Sequence, residues 1–233
     1  MMKPAAATLD QDLAAAGFLL LGSFSPGPED RIPDLAHGHR AATLLLIGST
    51  GPTLWPKLIE SPEFADEAPD PLDRYTRRTL LGTALKYGFD VLFPFEGPPY
   101  HPFQQWALAC GSFSRSPMGV LAHRDFGPWS GFRAVFLSRE PLWENTLEDR
   151  PGPCEACEDK PCIAACPADA LSSETGYDVP KCRAHLEKGR ALDCWTGCLA
   201  RQACPVGQNH LQAPDNAQFH MESFVGLYAN LNK

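Results

Sequence analysis

Eight of the nine cysteines fall between Cys154 and Cys204, in two groups of four that each end in Cys-Pro. The first group, Cys154, Cys157, Cys162 and Cys166 before Pro167, has the spacing C-x2-C-x4-C-x3-C-P. It differs from the bacterial iron–sulfur spacing C-x2-C-x2-C-x3-C-P in one gap only. Thiolates so arranged suit a cubane [4Fe-4S] cluster, which takes one thiolate at each iron corner. A tight loop can then supply three ligands while the fourth arrives from elsewhere in the chain. The second group is stretched, Cys182-x11-Cys194-x3-Cys198-x5-Cys204-Pro205. Pro167 and Pro205 end the ligand loops, since proline has a fixed φ and no amide donor. Ala164, Ala165, Ala168 and Ala170 keep the surroundings of Cys166 small.

Zinc is the rival metal. Two four-cysteine zinc sites would also consume eight thiolates, and C-x2-C is a common zinc spacing. Zinc ribbons, however, pair two C-x2-C knuckles across a longer gap, whereas this chain has one and closes twice on Cys-Pro. A disulfide scaffold does not suit a chain of 233 residues, because such scaffolds serve small secreted domains that lack a core.

The cysteine segment resembles the ferredoxin-type electron-transfer domains of multi-subunit oxidoreductases. Cys166-Pro-Ala-Asp-Ala-Leu171 matches the short Ala-Leu run after their first group, and Gly176-Tyr-Asp-Val179 resembles the hairpin between their groups. In two-cluster ferredoxins the last cysteine of each group crosses to the other cluster. The resemblance therefore implies Cys154, Cys157, Cys162 and Cys204 for one [4Fe-4S] cluster, and Cys166, Cys182, Cys194 and Cys198 for a second. Both sets close at four, and Cys110 stands outside them.

The elements that must position these groups divide into three stretches: an α+β domain over 1–150, the two-cluster domain over 151–210, and a tail over 211–233 that packs back on the body. The boundary is read at Asp149 to Pro153. A net charge of −8 repels a phosphate backbone, so nucleic acid is not an expected partner. Thiolates reserved for iron call for a reducing compartment, and a cytoplasmic location is expected. The apolar run Ala14 to Leu21 follows Asp10 and Asp12 and has no small-residue cleavage site, so it reads as fold. No run reaches the roughly 18 apolar residues of a membrane span.

Within the first stretch the sequence predicts a helix from Thr8, with Thr8 as its cap, and a strand over Phe18 to Leu21. Ala42 to Ile47 is an unbroken apolar run of strand length, expected in the middle of a sheet covered on both faces. A short helix follows around Leu54 to Ile59. The next has Asp70 as its expected cap and Pro71 at its first position, and stops at Gly88. Asp90 to Phe95 reads as a strand, Phe103 to Ala109 as a helix and Phe132 to Leu137 as a strand. Mixed without strict alternation, these predict an α+β layer fold. After Pro205 no long element is expected, and the aromatics Phe219, Phe224 and Tyr228, with Leu227, are read as docking residues.

Residues 16 to 137 resemble the cobalamin-processing CblC proteins. Ala16-Gly17-Phe18, Leu44 to Thr50 and Asp70-Pro-Leu-Asp73 carry the likeness, and the most specific part is His123-Arg-Asp-Phe-Gly-Pro-Trp-Ser-Gly-Phe-Arg133. The resemblance implies a nitroreductase-like α+β domain that holds a corrin in its base-off form, with His123, Phe126, Gly127 and Trp129 lining the pocket. Pro128 replaces a family glycine and Ser130 an aromatic residue. The alternative for this run is a turn leading into the strand Phe132 to Leu137. Reductive dehalogenases and epoxyqueuosine reductases are similar in arrangement, a related domain preceding two four-iron clusters.

The lesser candidates read as structure. His37, His39 and His101 are expected to be solvated, Cys110 to be a buried small hydrophobe, and Arg77 and Arg78 to form a wet helix face. No G-x-G-x-x-G follows a strand, so a nicotinamide domain has no support. The expected function is that of an oxidoreductase or electron carrier. A redox partner protein donates electrons, two clusters relay them, and the first domain holds an acceptor, a cobalamin or another corrinoid. The alternatives are a ferredoxin-like carrier that docks on an oxidoreductase without its own substrate, and a flavin-dependent reductase.

Overall fold

The computed structural model describes residues 6–35, 38–142 and 151–231. His37, the start of the boundary at Asp149, and the side chains of Leu227 and Tyr228 lie outside the described residues. The chain forms two compact units, Met1–Ser112 with Gly131–Arg150, and Phe113–Ser130 with Pro151–Lys233. The second unit therefore takes in a stretch, Phe113–Ser130, that precedes the last strand of the first.

In the first unit, helix α1 (Ala6–Ala15) begins ahead of Thr8, so Thr8 lies within the helix and does not cap it. Strands β1 (Leu19–Phe24) and β2 (Thr43–Ser49) follow, and every residue of β2 is buried. Helix α2 (Gly51–Ile59) opens where the Thr50 amide donates to Thr53 Oγ1 at 3.1 Å. The short α3 (Pro62–Ala65) is capped by Ser61, whose hydroxyl accepts from the Phe64 amide. Helix α4 (Pro71–Tyr87) starts at the expected Asp70-Pro71 step, but Asp70 takes φ +55° and makes no side-chain capping bond. Gly88 ends it with φ +72°, a conformation open to glycine, and its amide returns to the carbonyls of Ala84 and Leu85. Strand β3 (Asp90–Leu92) is shorter than expected, and α5 (Phe103–Ala109) has the expected bounds.

The hairpin β4 (Phe113–Arg115) and β5 (Leu121–His123), not foreseen, belongs to the second unit. Strand β6 (Gly131–Ser138) then returns to the first unit and completes an antiparallel sheet of order β1-β2-β6-β3. Its register sets Leu45 opposite Phe136 and Ile47 opposite Ala134. β2 lies inside the sheet, which explains its unbroken apolar run although the sheet is antiparallel. Its core joins Phe18, Leu45, Ile47, Leu80, Phe93 and Phe136. Burial of each such side chain contributes about 1.5–3 kcal/mol. Arg78 and Glu63 brace α3 against α4 through two hydrogen bonds, and Arg77 pairs with Glu96 at 2.7 Å, so both arginines are engaged.

The second unit continues with α6 (Pro161–Ala164), a hairpin of β7 (Leu171–Ser172) and β8 (Gly176–Tyr177), α7 (Val179–Leu186) and α8 (Leu199–Gln202). The expected hairpin between the cysteine groups is thus present. Asp178 caps α7 by accepting from the Lys181 amide at 3.0 Å. The expectation of no long element after Pro205 is corrected by α9 (Pro214–Leu231), which runs 18 residues. Its signal was present: proline at the start, Asp215 in the first turn, and Ala217, Met221, Phe224 and Val225 at helical spacing. Among the described residues no helix is long and apolar enough to cross a membrane. The fold class is α+β.

Candidate metal centre

The crossed cysteine sets separate in space within the second unit. Cys154, Cys157, Cys162 and Cys204 line one small cavity, about 30 Å³, walled by Pro117, Met118, Pro161 and Val206. Cys166, Cys182 and Cys198 line another, about 250 Å³, with Leu171, Tyr177, Arg201, Met221 and Phe224. Cys194 lies close enough to Cys198, Cys182 and Cys166 to interact with all three electrostatically. Cys204, from the end of the second sequence group, interacts with Cys157 of the first. All nine cysteines are free thiols.

Local structure aims hydrogen-bond donors at the sulfurs. The amides of Ile163, Leu199 and Val206 point at Cys162, Cys194 and Cys204, and the hydroxyls of Ser114 and Tyr177 at Cys154 and Cys182. The Leu199 amide lies in the first turn of α8, where intrahelical acceptors are missing, the Val206 amide follows Pro205, and the Ile163 amide in α6 is shared with the Lys160 carbonyl at 2.9 Å. Burial pushes the thiols of Cys154, Cys162, Cys182, Cys194 and Cys204 up, and these donors oppose it. The Cys154 amide also donates to Ser114 Oγ at 3.0 Å. Lys160 ties the first loop from inside, its Nζ donating to the carbonyls of Cys157 at 2.8 Å and Cys154 at 3.3 Å.

Among the described residues no group of three or more His, Cys, Asp or Glu converges as a single metal ion would need. A cubane makes a different demand: its ligands stand around a four-iron body and do not meet at one point. The first set places four thiols about one cavity and the second places three of its four about the other, with Cys194 beside them.

The run from His123 to Trp129 is a closed turn. The amide of His123 donates to the Gly127 carbonyl and that of Gly127 to the His123 carbonyl, both at 2.8 Å. The buried His123 accepts at Nδ1 from the Asp125 amide at 3.0 Å, and its ring stacks on Phe126 with centroids 4.6 Å apart. Phe126 meets His210 edge-on at 4.8 Å. Gly127 has φ +54°, and a Cβ there would stand 2.2 Å from the Val206 carbonyl oxygen. Trp129 is buried beneath the Arg201 guanidinium, 4.9 Å away. The structure thus joins Phe126 and Gly127 to the segment after Cys204, Trp129 to Arg201 ahead of it and His123 to Phe126, all within the second unit, and none of the four lines the two cysteine cavities.

Five residues that sequence reasoning did not single out surround the cysteines: Ser114, Met118, Lys160, Tyr177 and Arg201. Met118 lines both cavities. Ser116-Pro-Met-Gly119, ahead of Val120-Leu121-Ala122, was a readable turn signal, but nothing local said what the hairpin would touch. In the first unit, Arg133 Nε donates to Ser49 Oγ at 2.9 Å. Burial lowers the Arg133 pKa to about 10, against the pull of Asp73, whose own carboxyl is raised by burial. The loop cavity between Pro26 and Ala41 holds about 180 Å³. Of the lesser candidates, Cys110 is fully buried with its thiol pushed up to about 12, and His39 is exposed. His101 is half-buried and stacks on Trp106, contrary to the expectation of a solvated ring.

No protein-family model matches the sequence, and no curated protein matches it. A solved structure does match by fold: a B12-trafficking protein of C. elegans, CblC, a homologue of human MMACHC. The likeness has a TM-score of 0.52 at 13% identity and covers 92% of this chain and 89% of that one, so this chain has a CblC-like α+β fold.

Proposed function

We propose that this protein is an iron–sulfur electron carrier with two [4Fe-4S] clusters, one on Cys154, Cys157, Cys162 and Cys204, the other on Cys166, Cys182, Cys194 and Cys198. The observation that carries the reading is the separation of eight free thiols into two groups of four that cross the sequence order. Bound clusters supply one-electron storage at potentials between about −700 and +450 mV. The chain's own residues supply the rest. Amides and hydroxyls stabilise the thiolates, and Pro117, Met118 and Leu171 shield the sulfurs from water. A redox partner protein is the source of electrons in this reading, and a reducing, cytoplasmic setting suits the thiolates.

For the acceptor, a corrinoid is favoured by the fold likeness to a B12-trafficking protein. The residues of the first unit support it less. Its loop cavity of about 180 Å³ is smaller than the ~300–1,000 Å³ usual for small-molecule pockets, and His123, Phe126, Gly127 and Trp129 have packing roles in the second unit.

The test is anaerobic purification with iron and sulfide counted per chain, followed by titration with cobalamin. The reading expects about eight irons, a brown protein that bleaches on reduction, and a cobalamin spectrum that shifts on addition. Colourless protein containing zinc would overturn the cluster assignment. A yellow chromophore released on denaturation would favour a flavin reductase. Full iron with an unchanged cobalamin spectrum would leave a carrier that docks on another oxidoreductase.

A further inference from the structure

Arg201 has a burial pattern that its neighbours in the protein do not explain. It follows the Cys198 turn on α8 and lines the second cysteine cavity with Cys166, Cys182 and Cys198. Its Nη2 donates to the Pro128 carbonyl, and its Cζ lies 4.9 Å from the Trp129 ring centroid. Its Nε is shut off from solvent with no acceptor, and among the described residues no carboxylate pairs with it. Arg183 and Arg190 of the same unit, by contrast, pair with Glu187 and Glu222. A guanidinium stays protonated in proteins, and a desolvated cation is strongly unfavourable unless an anion lies beside it. Burial lowers the Arg201 pKa, and Cys198 is the group that opposes this.

Resting on the two-cluster reading above, we infer that Arg201 is the fixed countercharge of the second cluster and raises its reduction potential relative to an uncharged neighbour. Four thiolates around a cubane make an anionic body, and reduction adds one more negative charge. A cation held at constant distance stabilises the reduced form more than the oxidised form. The low dielectric around the shielded Nε strengthens the effect, and the Trp129 face and Pro128 carbonyl keep the guanidinium from swinging into water. Lys160 holds the matching place in the first cavity, hydrogen-bonded to the carbonyls of Cys154 and Cys157. Each cavity therefore has its own cation, and the two can be altered separately.

The experiment is a redox titration of the iron-loaded full chain, followed by electron paramagnetic resonance, on wild type, Arg201→Gln, Arg201→Lys and Lys160→Gln. Glutamine keeps a donor for the Pro128 carbonyl and removes the charge; lysine keeps the charge. Arg201→Gln is expected to lower one reduction step by about tenfold in its equilibrium constant, about 59 mV for one electron, and to leave the other in place. Arg201→Lys restores most of the shift, and Lys160→Gln moves only the other step. If Arg201→Gln retains one cluster and Arg201→Lys retains both, the countercharge is needed for binding, which also supports the inference. Iron-loaded variants with unmoved steps, equal movement of both, or the same cluster loss in Gln and Lys variants would overturn it. Wild-type protein without iron would overturn the two-cluster reading instead.

Discussion

Crossing of the ligand sets can be tested with pairs of alanine substitutions. Cys157 and Cys204 lie far apart in sequence, yet both line the first cavity, and their thiols interact. Removing both leaves that cavity two thiols, too few for a cubane, while Cys166, Cys182, Cys194 and Cys198 remain complete. The expected content falls from about eight irons to about four, and one reduction step survives unchanged. Cys157→Ala with Cys166→Ala removes one ligand from each set, so no four-thiolate site remains and neither wild-type step survives. Uncrossed sets, each confined to one sequence group, reverse these results: the Cys157 and Cys166 pair would spare a full cluster, and the Cys157 and Cys204 pair would spare none. The assay is iron and sulfide per chain on anaerobic protein, with the reduction steps resolved by redox titration. The reversed pattern would refute the spatial argument even if the total iron of wild type came out as expected.

Three further outcomes follow from the packing and charge of the two units. Gly127→Ala meets both a left-handed φ and the Val206 carbonyl oxygen at 2.2 Å, whereas Gly176→Ala has φ +75° with nothing near; the second should cost about 1–2 kcal/mol and the first clearly more, as read by thermal unfolding. Leu80→Ala in the fully buried core of the first unit should cost about 2–5 kcal/mol in denaturant titration while leaving iron per chain unchanged. Hydrogen bonds from Arg74 hold the exposed Asp66 carboxyl at about 2, below its ordinary 3.8. The folded-state value is the lower one, so the pair stabilises above pH 3.8 and the contribution fades as pH falls toward 2. Asp66→Asn should remove that part of the acid dependence, and an acid unfolding curve identical to wild type would count against the pairing.

Much of this architecture could be read locally. The apolar run at Ala42 to Ile47 became the fully buried β2, because a strand with neighbours on both sides and layers on both faces needs apolar residues throughout. The Asp70-Pro71 start and Gly88 stop of α4 came from backbone preferences that act without distant partners. Asp70 shows the limit of such reasoning, since its residue type suited a side-chain cap and its αL backbone provides none. The crossed cysteine sets had a different source: spacing alone groups Cys154 with Cys157, Cys162 and Cys166, and Cys182 with Cys194, Cys198 and Cys204, and the exchange of Cys166 and Cys204 came from the resemblance to two-cluster ferredoxins. Helix α9 escaped notice because its apolar positions are separated by polar residues and its signals are individually weak.

The hairpin of residues 113–130 was hidden for a different reason. Its turn residues announce a reversal of the chain, but its partners lie far along the sequence: Ser114 at Cys154, Gly127 at Val206, Pro128 at Arg201. A linear division into domains assigns such a segment to whatever surrounds it in sequence, and here that is the first unit. Contact chemistry assigns it to the second. The same displacement changes the meaning of His123, Phe126, Gly127 and Trp129. Aromatic, histidine and glycine residues in a short run suggest a pocket, since a ligand needs flat faces and close backbone approach. Two stretches of backbone brought together need the same things. Gly127 admits the Val206 carbonyl, Gly207 admits the Phe126 carbonyl, and the rings of His123, Phe126 and His210 fill the space beside them. Residue type alone could not separate the two uses, because the physical requirement is the same and only the identity of the approaching group differs.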